Sequence, residues 1–119
     1  MFILAGVSKV GGFSGTIAFI ASVGLPMPTL LAGLTIVLEI VGGIALIVGY
    51  RTRLFAFLLA GFTLLAAFIF HAFWAVPADQ AYVQNLFFMK NLSISGGLLL
   101  LTALGGGAWA LDNKLCQAK

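Results

Sequence analysis

Charged residues are scarce in this chain: they make up 8% of its 119 residues, whereas a typical soluble domain carries about 25%. Hydrophobic residues account for 62%, and the mean hydropathy is +1.18. So few charges cannot cover the surface of a soluble domain, so the composition predicts an integral membrane protein. The lipid bilayer is therefore its first expected partner.

Basic residues are also few, and they carry no nucleic-acid signal. The net charge of +3 rests on six lysines and arginines that are scattered between apolar segments. Charges placed in this way cannot line a groove, which argues against nucleic acid as a partner. We expect them to set the topology of the chain in the membrane instead.

Groups that hold metals or electrons are nearly absent. Cys116 is the single cysteine and His71 the single histidine. One cysteine allows neither an intrachain disulfide nor a dithiol, and one histidine cannot form a bis-histidine haem site. No structural metal and no covalent cofactor are expected, so any redox role must take its centre from a quinone or a partner subunit.

What the chain does contain is long apolar segments. A helix of about 20 apolar residues crosses a hydrocarbon core of about 30 Å. Three segments reach that length and are predicted to be transmembrane helices: residues 28–49, 52–74 and 86–104. Before them, residues 1–8 suit a partial first helix and residues 14–24 an interfacial or re-entrant helix. No linker divides the chain, so residues 1–119 should form a single membrane domain.

The basic residues near the membrane ends predict an orientation. Arg51 and Arg53 lie between the first two spans, and Lys114 and Lys119 follow the last one. Three crossings place these two regions on the same side. Because basic residues are retained on the cytoplasmic side, we expect a multi-pass protein with a cytoplasmic C-terminus.

Glu39 stands alone in an apolar run, LTIVLEIVGGIAL. It lies about 16 Å along the helix from Pro28, close to the bilayer midplane. An ionised carboxylate there costs at least about 2.5–3.5 kcal/mol unless it is paired or hydrated. Lys90 and Lys9 are the candidate partners, and a protonated Glu39 bonded to a threonine or a backbone carbonyl is the alternative.

Each predicted span has one small or polar stripe at helical spacing. The stripes are Thr35, Glu39, Gly42, Gly43 and Gly49 on the first span, Ala60, Thr63, Ala67 and His71 on the second, and Lys90, Ser93 and Gly97 on the third. We expect these stripes to face each other, because the remaining surfaces suit lipid.

Three roles for this polar interior remain open on the residues alone. Glu39 and a lysine could form a purely structural pair. They could also surround a small polar ligand or a quinone head group, with Glu39 and His71 exchanging protons, since an unperturbed histidine has a pKa of about 6.5. Transport of a small molecule along these groups is the third role.

Several motifs together resemble one family. The segment LEIVGGIALIVGYRTRLFAFLLAGFTLLAAFIFHAFW is followed by FFMKNLSISGGLLLL and then by GAWALD. Their order and spacing resemble the DoxX family of small bacterial inner-membrane proteins over nearly the whole chain. The resemblance implies a four-helix membrane bundle with both termini in the cytoplasm. It also implies Glu39, His71, Lys90 and Asn91 as motif positions, together with AGVSKVGGF around Lys9.

The function that the resemblance implies is linked to quinone redox chemistry. Members are associated with a membrane subunit of a thiosulfate:quinone oxidoreductase and with complexes of oxidative-stress and thiol defence. This makes a quinone-linked oxidoreductase subunit the leading hypothesis, with quinone as the ligand and a redox enzyme as the partner. The alternatives are a non-catalytic membrane scaffold for redox or oxidative-stress enzymes and a small-molecule carrier. Catalytic residues are not assigned.

The sequence departs from the family in one respect. Family members carry further residues before the position of Phe2, which complete the first crossing. We therefore expect a truncated first transmembrane helix here, with homo-oligomerisation or instability as the consequence.

Overall fold

Helices form all the regular structure in residues 1–117, which the computed structural model describes. They are α1 (Phe2–Gly11), α2 (Phe13–Ser22), α3 (Pro28–Val48), α4 (Thr52–Phe70), a 3₁₀ turn (Phe73–Ala75), α5 (Ala78–Leu104) and α6 (Leu111–Gln117). Three are long and apolar enough to cross a membrane: α3, α5, and α4 with the turn that follows it. The predicted all-α membrane bundle is confirmed. Lys119, one of the basic residues used to predict orientation, lies outside the described residues.

The N-terminal helices α1 and α2 are joined at Gly12 and bent by 99°, which is the geometry of a broken span or a re-entrant loop. With this pair counted as one span, the bundle has four. Helix α1 packs closely along α3. A Cβ at Gly6 would lie 2.6 Å from Ile40, and one at Gly43 would lie 2.7 Å from Ile3. Glycine at both positions therefore lets the two backbones approach each other.

The core of the bundle lies between α4 and α5. Ala56, Leu59 and Ala60 of α4 are buried against Leu98 of α5. Small side chains allow close packing of the two helices, and the Ser95 hydroxyl on α5 donates a hydrogen bond of 3.2 Å to the backbone carbonyl of Ala60. In α3, Gly42 packs against the Leu59 side chain and so joins the third helix to this core.

Two helix boundaries differ from those expected. Helix α5 begins at Ala78 and not near residue 86, so most of the expected loop between the second and third spans is helical. Pro77 precedes its first turn, and Asp79 lies within that turn, where its negative charge stabilises the positive end of the helix dipole. The length of an apolar run predicts which part of a helix can lie in lipid, but it does not predict where the helix begins. Residues 78–85 are more polar and continue the same helix beyond the apolar run. Helix α4 ends at Phe70, which leaves His71 at its C-cap.

The interior faces of α3 and α4 are the predicted ones, but that of α5 is not. Glu39, Gly42, Thr63 and Ala67 are all buried, as expected. On α5 the predicted stripe of Lys90, Ser93 and Gly97 is exposed, and the buried face consists of Asn91, Ser95 and Leu98. Both stripes have helical spacing and small or polar residues. They differ by about one position, or roughly 100° around the helix, and spacing alone could not choose between them.

Helix α6 is held against the turn between α3 and α4. The Asp112 carboxylate accepts hydrogen bonds from the backbone N–H groups of Arg51 (2.7 Å) and Thr52 (2.8 Å), so it caps the start of α4 from a distance in sequence. The backbone N–H of Asp112 donates to the Gly49 carbonyl at 2.9 Å. The hydrogen bond from the Thr52 backbone is the main cause that lowers the pKa of Asp112 below its ordinary value.

The contact at Gly49 can be tested by substitution. Gly49 has a φ of 72°, and a Cβ there would lie 2.6 Å from the Ala110 Cα. Gly49→Ala should lower the free energy of unfolding in detergent by about 2–4 kcal/mol, through backbone strain and overpacking. Gly24 is the matched control, because its φ is 78° and nothing lies near its Cβ position. Gly24→Ala should lose only the strain, about 1–2 kcal/mol. Equal losses in the two variants would contradict the docking of α6.

The Asp112 cap predicts a pH dependence of stability. Because the folded pKa is lowered, the stabilisation is complete above the pKa of an unfolded aspartate, about 3.9, and is lost as pH falls through the folded pKa. Asp112→Asn should therefore be less stable than the parent at pH 6, and the gap should close on acidification. Thermal unfolding at several pH values measures it. A gap of constant size down to pH 2 would contradict the cap.

Candidate functional site

A partly open cavity with polar groups in its wall lies between the described helices, within the membrane-spanning part of the fold. It has a volume of about 240 Å³ and is lined by residues of α1 to α5 together with His71, which follows α4; we call it the central cavity. Its walls are mostly apolar, and its polar lining consists of Lys9, Thr16, Thr35, Glu39, Thr63, His71 and Asn91. Four of the five predicted site residues, all except Lys90, therefore meet at this cavity.

Glu39 is paired with Lys9. The lysine Nζ lies 2.7 Å and 2.9 Å from the two carboxylate oxygens, so both oxygens accept a hydrogen bond. The Glu39 side chain is 6% exposed and that of Lys9 is 31% exposed. The close packing of α1 on α3 at Gly6 brings the lysine within reach. A charge that would be costly alone in lipid is thus neutralised by its partner.

Lys90, the other candidate partner, does not contact Glu39. It lies on the exposed side of α5, with its Nζ 4.8 Å from the centroid of the Phe87 ring one turn earlier. The long stem lets the ammonium group reach toward the end of the helix and rest on an aromatic face. Of the two candidate lysine partners, Lys9 pairs with Glu39 and Lys90 does not, because Lys90 is not on the face of α5 that packs inward.

Thr63 supplies an unsatisfied polar group at the central cavity. The residue is 3% exposed, and its hydroxyl oxygen has no hydrogen-bond partner among the residues that the structure describes. Asn91 lines the same cavity and is 8% exposed. A buried hydroxyl left without a partner costs about 1–3 kcal/mol, so a group able to bond Thr63 would be stabilised here.

His71 is oriented by a residue that the sequence patterns did not indicate. Its Nδ1 lies 2.9 Å from the Gln84 Oε1. An amide oxygen only accepts hydrogen bonds, so this contact requires a proton on Nδ1. The ring also packs against Phe87 at 5.2 Å between centroids. Gln84 lies seven residues before Asn91, so extending the true interior stripe of α5 by two turns would have found it.

An aromatic contact covers the central cavity on the side of α2. Phe19 of α2 stacks on Phe70 at the end of α4, with ring centroids 5.0 Å apart and an interplanar angle of 23°, and both rings line the cavity. Sequence spacing gave no signal for this pair, because it joins segments about fifty residues apart. The stack connects α2 to the bundle and adds apolar wall to the cavity.

The fold and the site together define the class of the protein. It is a polytopic helical membrane protein with a polar cavity, containing a buried ion pair, between its helices. Residues 1–117 contain no cluster of three or more histidine, cysteine, aspartate or glutamate side chains that could hold a metal ion. The chain belongs to the DoxX family, whose family model matches residues 1–72.

Comparison with known proteins agrees with this assignment. The chain is 44% identical over 115 residues to inner membrane protein YqjF of Escherichia coli K12, covering 97% of this chain and 83% of the relative. It is 40% identical over 114 residues to inner membrane protein YphA of the same organism, covering 96% and 81%. A Surfeit locus protein 4 homolog of Schizosaccharomyces pombe is 32% identical over 80 residues, 26% of that protein. No solved structure shows a significant match. The chain is thus an inner-membrane protein of the DoxX family.

The pairing of Glu39 with Lys9 and not with Lys90 can be tested by substituting each lysine. Lys9→Met leaves the Glu39 carboxylate without its ion pair and should cost about 1–3 kcal/mol of unfolding free energy, below the value for a fully buried pair because Lys9 is partly exposed. Lys90→Met is the control and should cost no more than about 1 kcal/mol, the value of an exposed cation–π contact. Reversible unfolding in mixed micelles measures both.

A second substitution separates loss of the pair from loss of packing. Glu39→Gln placed in the Lys9→Met background removes the uncompensated charge, so it should restore part of the lost stability. Additive losses in the double variant, or a larger cost for Lys90→Met than for Lys9→Met, would contradict the pairing.

Proposed function

We propose that the central cavity binds the head group of a membrane quinone and that the protein serves as the membrane subunit of a quinone-linked oxidoreductase. The observation that carries the proposal is Thr63, which lines the mostly apolar central cavity together with Asn91 and the Lys9–Glu39 pair and whose buried hydroxyl has no partner among the described residues. Few polar groups in a mostly apolar concave wall are typical of sites for small organic ligands.

The size of the cavity supports a single ring as the occupant. A cavity of about 150 Å³ in another protein holds benzene. The 240 Å³ available here would therefore hold one substituted six-membered ring. Quinone carbonyl oxygens accept hydrogen bonds, and Thr63, Asn91 and Lys9, whose side chains can donate them, all line the cavity.

The polar residues would supply protons, and a partner would supply electrons. Reduction of a quinone to a quinol takes up two electrons and two protons. Lys9, Glu39 and His71 all line the cavity and belong to the residue types that serve as general acids and bases, so we assign to them the delivery of the two protons. With one cysteine and one histidine in the chain, the electrons would come from a redox enzyme bound to it.

The orientation belongs to the same proposal. Arg51, Arg53 and Lys114 all lie at the end of the bundle where α6 docks. Under the positive-inside rule this end faces the cytoplasm, so the C-terminus is cytoplasmic and His71 lies toward the outer side.

Thr63→Val tests the proposal, because valine keeps the shape and removes the hydroxyl. The ligand-free protein should become more stable by about 1 kcal/mol as an unsatisfied buried group is lost, whereas ubiquinone-1 should bind about 10-fold more weakly as its hydrogen bond is lost. Thr102→Val is the matched control, because the Thr102 hydroxyl donates to its own helix at Leu98. Thermal unfolding and a quinone titration in detergent measure the two effects.

The two effects have opposite signs, so a general loss of folding cannot imitate them. Glu39→Gln should also weaken quinone binding, since it changes the ion pair at the cavity wall. Quinone binding that is unchanged in both Thr63→Val and Glu39→Gln would remove the central cavity as the site.

A further inference from the structure

A second recess lies at the opposite end of the bundle from His71 and is separate from the central cavity. It is an open groove of about 700 Å³ between the start of α4, the end of α5 and α6. Its lining consists of Arg51, Arg53, Leu54, Leu104, residues 105–108, Ala110, Asp112, Asn113 and Cys116. We call it the arginine groove.

The charge of the arginine groove is positive. Asp112 is the one carboxylate in its lining, and both of its oxygens accept backbone N–H groups from the start of α4. Within residues 1–117, neither the Arg51 nor the Arg53 guanidinium group forms an ion pair with a carboxylate. The ion pair in this part of the chain is Lys9–Glu39, in the central cavity. The two planar donor groups are therefore available to an external anion, which guanidinium groups bind by two parallel hydrogen bonds.

Three consecutive glycines form the part of the groove wall next to Arg53. Residues 105–107 are three glycines that follow the end of α5, and the Arg53 Nε lies 3.4 Å from the position that a Cβ of Gly105 would occupy. Gly105 and Gly107 have φ values of 82° and 77°, which side-chain-bearing residues rarely adopt. Gly105 therefore places main chain, without a side chain, in contact with the Arg53 guanidinium, whereas Gly106 is required by its packing against Ala110 and Thr52.

The arginine groove lies at the depth of lipid head groups. Arg51 and Arg53 flank the start of one membrane-spanning helix, and the glycines follow the end of another. Tyr50 and Trp109 beside them are exposed, Trp109 to 90%, as is typical of aromatic residues at a membrane–water boundary. An anion at this depth can be carried by a lipid or can arrive from the water.

We propose that the arginine groove is a binding site for a phosphate-bearing anion, with Arg51 and Arg53 as the ligands of the phosphate. A phosphodiester of an anionic lipid and a soluble phosphate compound share this chemistry, and they differ in whether acyl chains are needed. The site does not depend on quinone binding in the central cavity.

The test uses the full chain in detergent and two probes: dioctanoyl-phosphatidylglycerol and inorganic pyrophosphate. At least one probe should bind the parent protein, and the double variant Arg51→Gln/Arg53→Gln should bind it at least about 10-fold more weakly. Lys114→Gln is the matched control, since it removes one positive charge from α6 outside the groove lining and should change binding by less than about 2-fold. Microscale thermophoresis provides the affinities.

Arg53→Gln alone keeps the test valid if the double variant does not fold, because Arg53 takes no part in the cap formed by Asp112. If the parent protein binds only the lipid and the arginine variants lose that binding, the ligand is a lipid head group. If the parent binds pyrophosphate and the variants lose that binding, the ligand is a soluble anion. Both results support the site. Absence of binding by either probe, an unchanged affinity in the arginine variants, or an equal loss in Lys114→Gln would overturn it.

Discussion

A carboxylate in the middle of a membrane needs a partner, and the arrangement of the N-terminal half of the bundle follows from that need. Glu39 is buried on α3, and the Lys9 ammonium contacts both of its oxygens. The lysine reaches Glu39 because α1 packs closely along α3, with glycines at the points where the two backbones approach each other. The chain then turns sharply at Gly12. The pair therefore ties α1 to α3, and α1 forms part of the wall of the central cavity.

The polar groups of the central cavity are satisfied to different degrees, and this difference gives the cavity its proposed role. Glu39 and Lys9 satisfy each other, and His71 is held by Gln84. The Thr63 hydroxyl is left without a partner in the described part of the chain. A site in which most polar groups are already oriented can bind a ligand with little reorganisation. The Thr63 hydroxyl is a fully buried group without a partner among the described residues, so its removal should affect ligand binding most clearly.

The two ends of the bundle have different chemistry. The end near His71 is rich in aromatic contacts, among them the stack of Phe19 on Phe70 and the cluster of Phe68, Trp74 and Phe88. The other end is small and basic: glycines and two arginines surround a groove whose single carboxylate caps a helix. Apolar ligands in the bilayer and anions at its surface would thus meet different parts of one small protein.

Hydropathy and the cost of a charge in lipid were enough to predict the membrane environment, the three spanning segments and a Glu39 that faces inward and has a partner. They left open whether that partner is a lysine, a threonine or a backbone carbonyl. The packing of the helices shows that the partner is Lys9 and that the inner face of α5 carries Asn91 and not Lys90. Helical periodicity identifies stripes within one helix, but the rotation of a helix depends on the residues it packs against. The contact between Gln84 and His71 also depends on tertiary packing, since it joins α5 to the end of α4.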